Sequence, residues 1–491
     1  MQPKGAYNSS GIMGRKVLAF YQCKPSLCMV FTSHLFLFLF LPLFLTIYYL
    51  IPFRARSGLI LVFSYFFYGW WRPDFALLLA GVTLVAYYLT LLMESPGWRH
   101  RYATLFVGVV LNLATLAYFK YFNFGMDSMN ALLAGLGFAP MEYGRVLLPI
   151  GLSFFIFHAI SYMVDVYRGD APKTDNLFDF AAFISLFPQL VAGPVLRYEP
   201  LSDQFRHREH SWAHFSQGCL IFMAGFSGKV LIADPMNPMV EAAFNLSNPT
   251  MADAWLGAMA YTIQLFFDFS GYSTMAIGLG LMIGFHFQKN FDDPYTSASI
   301  TEFWRRWHIS LSTWLRVYLY VPLGGNRKGE VRTYVNLMLT MVLGGFWHGA
   351  NWTFIVWGIW HGGILALERY WRSLFPQPFL PRWVAMLFTL VLVMIGWVFF
   401  RAHTLTAAMT TLSAMFGIGS GVSLSFSPDL AWQVVPERLW VMLVGGLLVF
   451  ALPWVKRSIT GRARLLVLPI FLWAVATLSA QAFTPFLYFQ F

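Results

Sequence analysis

WVAMLFTLVLVMIGWVFF, residues 383–400, runs between Arg382 and Arg401 without a charged side chain. About 20 mostly apolar residues suffice for a helix to cross a bilayer, so this segment predicts a membrane span. The same rule, applied outward, predicts twelve spans: roughly 30–52, 57–71, 74–93, 102–119, 146–166, 212–232, 254–284, 333–350, 352–368, 383–400, 437–455 and 464–482. Composition agrees. Of the 491 residues 58% are hydrophobic and 11% charged, where a soluble domain carries about a quarter charged. The expected fold class is all-α, a polytopic transmembrane helical protein. A soluble globule, a disordered chain and a collagen-like repeat are excluded. Cys23, Cys28 and Cys219 lack metal-ligand spacing, so no disulfide framework and no metal site is expected.

The net charge of +11 would suggest nucleic acid in a soluble protein; here it predicts orientation and no nucleic-acid partner, because Lys and Arg gather in cytoplasmic loops. With Arg54, Arg56, Arg99 and Arg101 inside, the alternation of spans puts 23 of the 33 basic residues on that side. Six fall in outside loops or span ends: Arg72, Lys120, Arg145, Lys229, Arg401 and Arg438. Both termini are then expected outside. Lys4, Arg15, Lys16 and Lys24 contradict that placement, and residues 1–28 lack the apolar core of a signal peptide. Residues 1–28 are therefore expected to be a non-native or disordered extension, with Met29 the working start and 29–491 a single transmembrane domain.

Three stretches do not fit simple spans. Residues 176–200, broken by Pro188, Gly193 and Pro194, predict a re-entrant or interfacial element covered by protein, since irregular backbone cannot face lipid. Residues 301–318 (TEFWRRWHISLSTWLRVY) predict one amphipathic interfacial helix. Residues 404–436 predict a polar external loop. The absence of related halves weighs against a secondary transporter.

Histidine is the side chain suited to proton transfer near neutral pH, and ionisable groups within spans point to function because burying them is costly. His348, in GGFWHGANW (344–352), is the leading candidate for a base that deprotonates an attacking hydroxyl; a histidine that merely ties two helices together is the competing reading. His361, in WGIWHGG (357–363), could orient it or be structural. His308 lies beside Arg305 and Arg306, which could meet an anionic phosphate-bearing donor or simply hold the helix to lipid headgroups. Asp268, in QLFFDFSGY (264–272), could bind a proton or cation, orient a histidine, or bond to Ser270 and Tyr272, with Gly271 expected to let its helix break. Asn351 follows His348 closely and joins the supporting candidates. GGNR (324–327) lacks the Lys-Ser/Thr of a phosphate-cradling loop.

LLPIGLSFFIFHAISYMVDVYRGD (147–170), FPQLVAGPVLRYEPLSDQF (187–205), YTIQLFFDFSGYSTMAIGLGLMIGF (261–285), ITEFWRRWHISLSTWLRVYLYVPLGGNRKG (300–329) and FWHGANWTFIVWGIWHG (346–362) resemble the membrane-bound O-acyltransferase (MBOAT) superfamily. The core motifs fall in 147–368. The resemblance implies that His348 matches the family's catalytic histidine and that His308 takes the second motif position. It further implies acetyl-CoA as donor, with acetyl carried across the inner membrane to periplasmic acetyl-transfer proteins that modify an exopolysaccharide, alginate before cellulose. Thr274 and Val317 stand where the family pattern has Asp, which leaves the polymer and partner open. A different class, an ion-coupled transporter centred on Asp268, is the alternative.

Overall fold

The computed structural model describes residues 29–191, 193–377, 380–418, 422–458, 461–480 and 487. The expected extension, residues 1–28, lies outside the described residues. Every expected span has a helix. They are α1 (Phe36–Leu50), α2 (Arg56–Gly69), α3 (Pro73–Met93), α4 (Arg101–Gly135), α5 (Leu152–Arg168), then the short α6 (Leu177–Ser185) and α7 (Phe187–Leu190). There follow α8 (Trp212–Phe244), α9 (Met251–Met282), α10 (Ile300–Arg306), α11 (Ile309–Leu315), α12 (Glu330–His348), α13 (Trp352–Leu374) and α14 (Arg382–Arg401). Last come α15 (Leu405–Met415), α16 (Pro428–Ala431), α17 (Pro436–Ser458) and α18 (Val467–Ala480). No strand occurs among the described residues. By length and composition α3, α4, α8, α9, α14 and α17 can each cross a membrane.

Helix α9 is the axis. Its most apolar stretch is 83% buried, against 11% for α17, whose Leu443, Leu447 and Trp454 point outward as a lipid-facing surface would. Glycines set the distance between α9 and α8. A Cβ on Gly271 would meet the Gly225 carbonyl oxygen at 2.8 Å, and one on Gly278 would meet the Gly218 carbonyl oxygen at 2.6 Å. Small residues at such positions let helix backbones touch, which drives association where water is absent. Gly271 therefore does not break the helix as expected. Helix α9 runs straight through it, and the glycine serves close packing.

Loops expected on the same side do meet. At one end Arg56 Nη1 lies 3.0 Å from His210 Nε2, and His286 N donates to Gln204 Oε1 at 2.8 Å. At the other, Asn351 Nδ2 donates to the His403 carbonyl at 2.9 Å, Thr250 Oγ1 to the Ser425 carbonyl at 2.9 Å, and Arg401 pairs with Glu241 at 2.7 Å.

Four expectations are corrected. The span at 102–119 is part of a longer helix reaching Gly135, with a π-helical turn at Ala117–Tyr121, so Lys120 sits within a helix rather than at a span end. Lys229 is likewise internal, fully buried on a second π-helical turn, Lys229–Ala233. The stretch 404–436 contains α15, because Thr404 caps it by accepting from Ala407 N and apolar Ala408, Leu412 and Met415 face the interior. The single helix expected over 301–318 is two helices, α10 and α11, broken at Trp307 and His308. The expected interruption of 176–200 is present: α6 and α7 are separated at Leu186, and residues 180–191 are buried.

Gly271→Leu is expected to lower the unfolding midpoint of the purified protein by forcing α8 from α9. Overpacking of this kind costs about 1–3 kcal/mol, measurable by thermal unfolding in detergent.

Candidate functional site

His348 ends α12 and is 6% exposed. Its ring meets Trp347, Trp357 and Phe400 with centroids 5.0, 5.3 and 5.2 Å away. Asp268, Trp307, His348, Trp397, Phe400 and Leu487 help to wall a cavity of about 20 Å³, room for roughly one water. The helix end is closed by a cation: Lys120 Nζ donates to the Trp347 carbonyl and, at 3.1 Å, to the His348 carbonyl. Carbonyls at a helix C-terminus lack intrahelical partners and carry partial negative charge, so an ammonium is a natural cap there.

The break between α10 and α11 supplies the second imidazole. His308 has φ 44°, a left-handed conformation that side chains adopt sparingly. Asn290 makes the break tolerable: its carbonyl accepts from Ile309 N at 2.9 Å, and its Oδ1 accepts from Ser310 N at 3.1 Å and Ser310 Oγ at 2.8 Å. A backbone N–H can only donate, so this Asn290 atom is the oxygen. His308 Nδ1, 3.2 Å from that oxygen, must then be the protonated nitrogen. Its Nε2 is left as a lone-pair acceptor, buried and without a protein partner. The His308 and His348 ring centroids lie 6.4 Å apart. Sequence reasoning placed His308 at the edge of an interfacial helix; the structure buries it fully.

Asp268 is paired with a lysine of α8. Its Oδ1 lies 3.4 Å from Lys229 Nζ and its Oδ2 accepts from Leu487 N at 3.2 Å. Lys229 also pairs with Asp234. One buried lysine and two buried carboxylates thus tie α8 to α9 beside the cavity. Neither Lys229 nor Asp234 was singled out in the sequence, although a lysine in GKVLIAD (228–234) is an ionisable group in an apolar run. Lys120, in YFKYF (118–122), carried the same signal.

The remaining candidates are arranged around this centre rather than in it. His361 is fully buried against Trp304, Trp357 and Trp397 and lacks partners at both ring nitrogens; it shares Trp357 with His348 but does not wall the cavity. Asn351 caps α13 by accepting from Thr353 N at 3.1 Å. Arg306 is engaged by Glu302 at 2.7 Å and Thr296 Oγ1 at 3.1 Å, whereas Arg305 is exposed. Burial alone would raise the Glu302 carboxyl; the Ala298 amide, Arg382 and Arg306 outweigh it and hold it below its ordinary value. Among the described residues, no cluster of His, Cys, Asp and Glu could hold a metal ion.

Comparison with known proteins decides the class. Residues 168–410 match the model of the membrane-bound O-acyltransferase family. The "Probable alginate O-acetylase AlgI" of Azotobacter vinelandii is 51% identical, over 94% of this chain and 100% of that protein. The chain belongs to the MBOAT family. The protein of the same name in Pseudomonas putida is 52% identical over 94% of this chain and 100% of its own length. A "Peptidoglycan O-acetyltransferase" of Helicobacter pylori is 34% identical over 81% of each chain. This MBOAT chain is accordingly a multi-pass membrane O-acyltransferase, not a transporter centred on Asp268.

Lys229→Met should destabilise the protein by about 3–5 kcal/mol, because it strands buried carboxylates. Adding Asp234→Asn and Asp268→Asn should recover part of that loss, as read from unfolding midpoints in detergent.

Proposed function

We propose that this MBOAT chain O-acetylates an exopolysaccharide, with His348 as general base. The observation that carries the reading is the pairing of His348, which walls the buried cavity, with His308, whose ring centroid lies 6.4 Å from it. His348 is the last residue of α12, three residues before the loop at Asn351. His308 arrives on α10 and α11, which follow the opposite, basic-loop end. Such a placement suits a donor and an acceptor that come from opposite sides of the inner membrane.

The donor is acetyl-CoA, on the cytoplasmic side where the basic loops gather, with exposed Arg305 the α10 candidate left without an ion pair among the described residues. The His348 imidazole takes the proton from the acceptor hydroxyl as its oxygen attacks the thioester carbonyl. The C–S bond then breaks, and the imidazolium returns the proton to the departing sulfur. Proton transfer by a positioned base contributes about 10²–10⁴-fold. His308 Nε2 offers a second lone pair, held in place by Asn290, to orient the attacking hydroxyl.

The polymer is alginate, the substrate named for the Azotobacter vinelandii and Pseudomonas putida relatives, and the acetyl group passes to it directly or through periplasmic acetyl-transfer proteins. Cells carrying His348→Ala should make polymer with at least about 100-fold less ester acetate, while the protein stays in the membrane at its normal level. Ester retained at the wild-type level would overturn the assignment. Asn290→Leu should also lower ester content by freeing the His308 tautomer, with Asn290→Gln restoring part of it.

A further inference from the structure

The basic-loop end holds a charge that the rest of the structure leaves uncompensated. Arg208 is 8% exposed, and its Nε, Nη1 and Nη2 have no hydrogen-bond partner. Rings surround it instead. Its guanidinium carbon lies 4.8 Å from the Phe285 centroid, 5.0 Å from Phe53, 5.9 Å from Phe205 and 6.0 Å from Tyr48. Arg56 shares two of these rings, at 4.8 Å from Tyr48 and 5.8 Å from Phe53. Its Nη1 reaches His210 Nε2 at 3.0 Å, but its own Nε is buried without a partner. Among the described residues neither arginine has an ion pair. Asp179, the carboxylate whose field reaches Arg208, instead accepts from Asn176 at 2.8 Å.

Aromatic faces stabilise a cation electrostatically, yet they leave the in-plane N–H donors of a guanidinium without lone pairs to meet. A buried charge ordinarily has a hydrogen-bonded counter-charge. Two like charges converging on the same two rings sharpen the requirement. The planar fork of Arg matches the oxygens of phosphate in a bidentate manner, and this end of the molecule is where the basic loops place it against anionic headgroups. We propose that Arg208 and Arg56 form a phosphate-binding site, separate from the cavity that His348 walls. Its ligand is either the headgroup of an anionic phospholipid or the phosphate group of a soluble ester. Phe53, 37% exposed on the turn Phe53–Ala55, is the open wall through which the phosphate enters.

The test uses the full chain, purified in a phosphate-free maltoside detergent and stripped of lipid. Its unfolding midpoint is followed against inorganic phosphate in one arm and against added phosphatidylglycerol in the other. A saturable rise in either arm is expected, since a ligand that binds only the folded state stabilises it. A rise with phosphatidylglycerol alone assigns the lipid; a rise with inorganic phosphate assigns the soluble ester. Arg208→Gln should abolish the rise, and Arg208→Lys, which keeps the charge but not the fork, should weaken apparent affinity about tenfold. No rise in the wild-type protein in either arm overturns the proposal, whether or not the variants fold. An undiminished rise in Arg208→Gln overturns it as well.

Discussion

The structure depends on one constraint: a charge inside an apolar slab has to be paired or capped, because neither lipid nor packed aromatic side chains will solvate it. Lys229 meets the constraint with Asp234 and Asp268. That pairing fixes α8 against α9, which glycines already hold at backbone contact. Lys120 meets it with the carbonyls that α12 leaves unbonded at its end. Both lysines sit on π-helical turns, a local widening of the helix that recurs at functional sites. Asp268 and His348 wall the same cavity, so the ionic tie between helices also borders the proposed reaction centre.

A second consequence concerns backbone. Irregular main chain can lie at membrane depth only where protein supplies its hydrogen bonds. The break at His308 satisfies that rule through Asn290, which takes up the Ile309 and Ser310 donors and orients the imidazole in the same stroke. The left-handed residue and the tautomer of the second histidine are therefore one structural event. It brings the His308 ring to 6.4 Å, centroid to centroid, from that of His348 at the end of α12, the arrangement on which the proposed transfer between two faces rests.

The helices were legible because about 20 apolar residues leave few alternatives, and 383–400 alone announces the class. The histidines in apolar settings were legible for the same reason that they are costly. What escaped was pairing. Counting Lys120 and Lys229 as span-end charges treated each lysine as solvated, whereas Lys120 is met by a carbonyl 227 residues away on another helix, and Lys229 by Asp268, 39 residues away on α9, together with Asp234 on its own helix. The break at His308 was hidden because an unbroken amphipathic period runs through it; the agent of the break, Asn290, is 18 residues upstream. Gly271 was misjudged in the opposite sense, since a glycine that kinks and a glycine that lets a neighbour approach look alike without the neighbour, here Gly225.

The most direct test of the account separates donor from acceptor. In proteoliposomes with the basic-loop end outward, radiolabelled acetyl-CoA is supplied outside, and an oligosaccharide acceptor is sealed within together with periplasmic extract that supplies acetyl-transfer proteins. The account predicts acetyl ester on the enclosed acceptor with the wild-type chain and none above background with His348→Gln. Ester on the enclosed acceptor at equal rates in both preparations would contradict it.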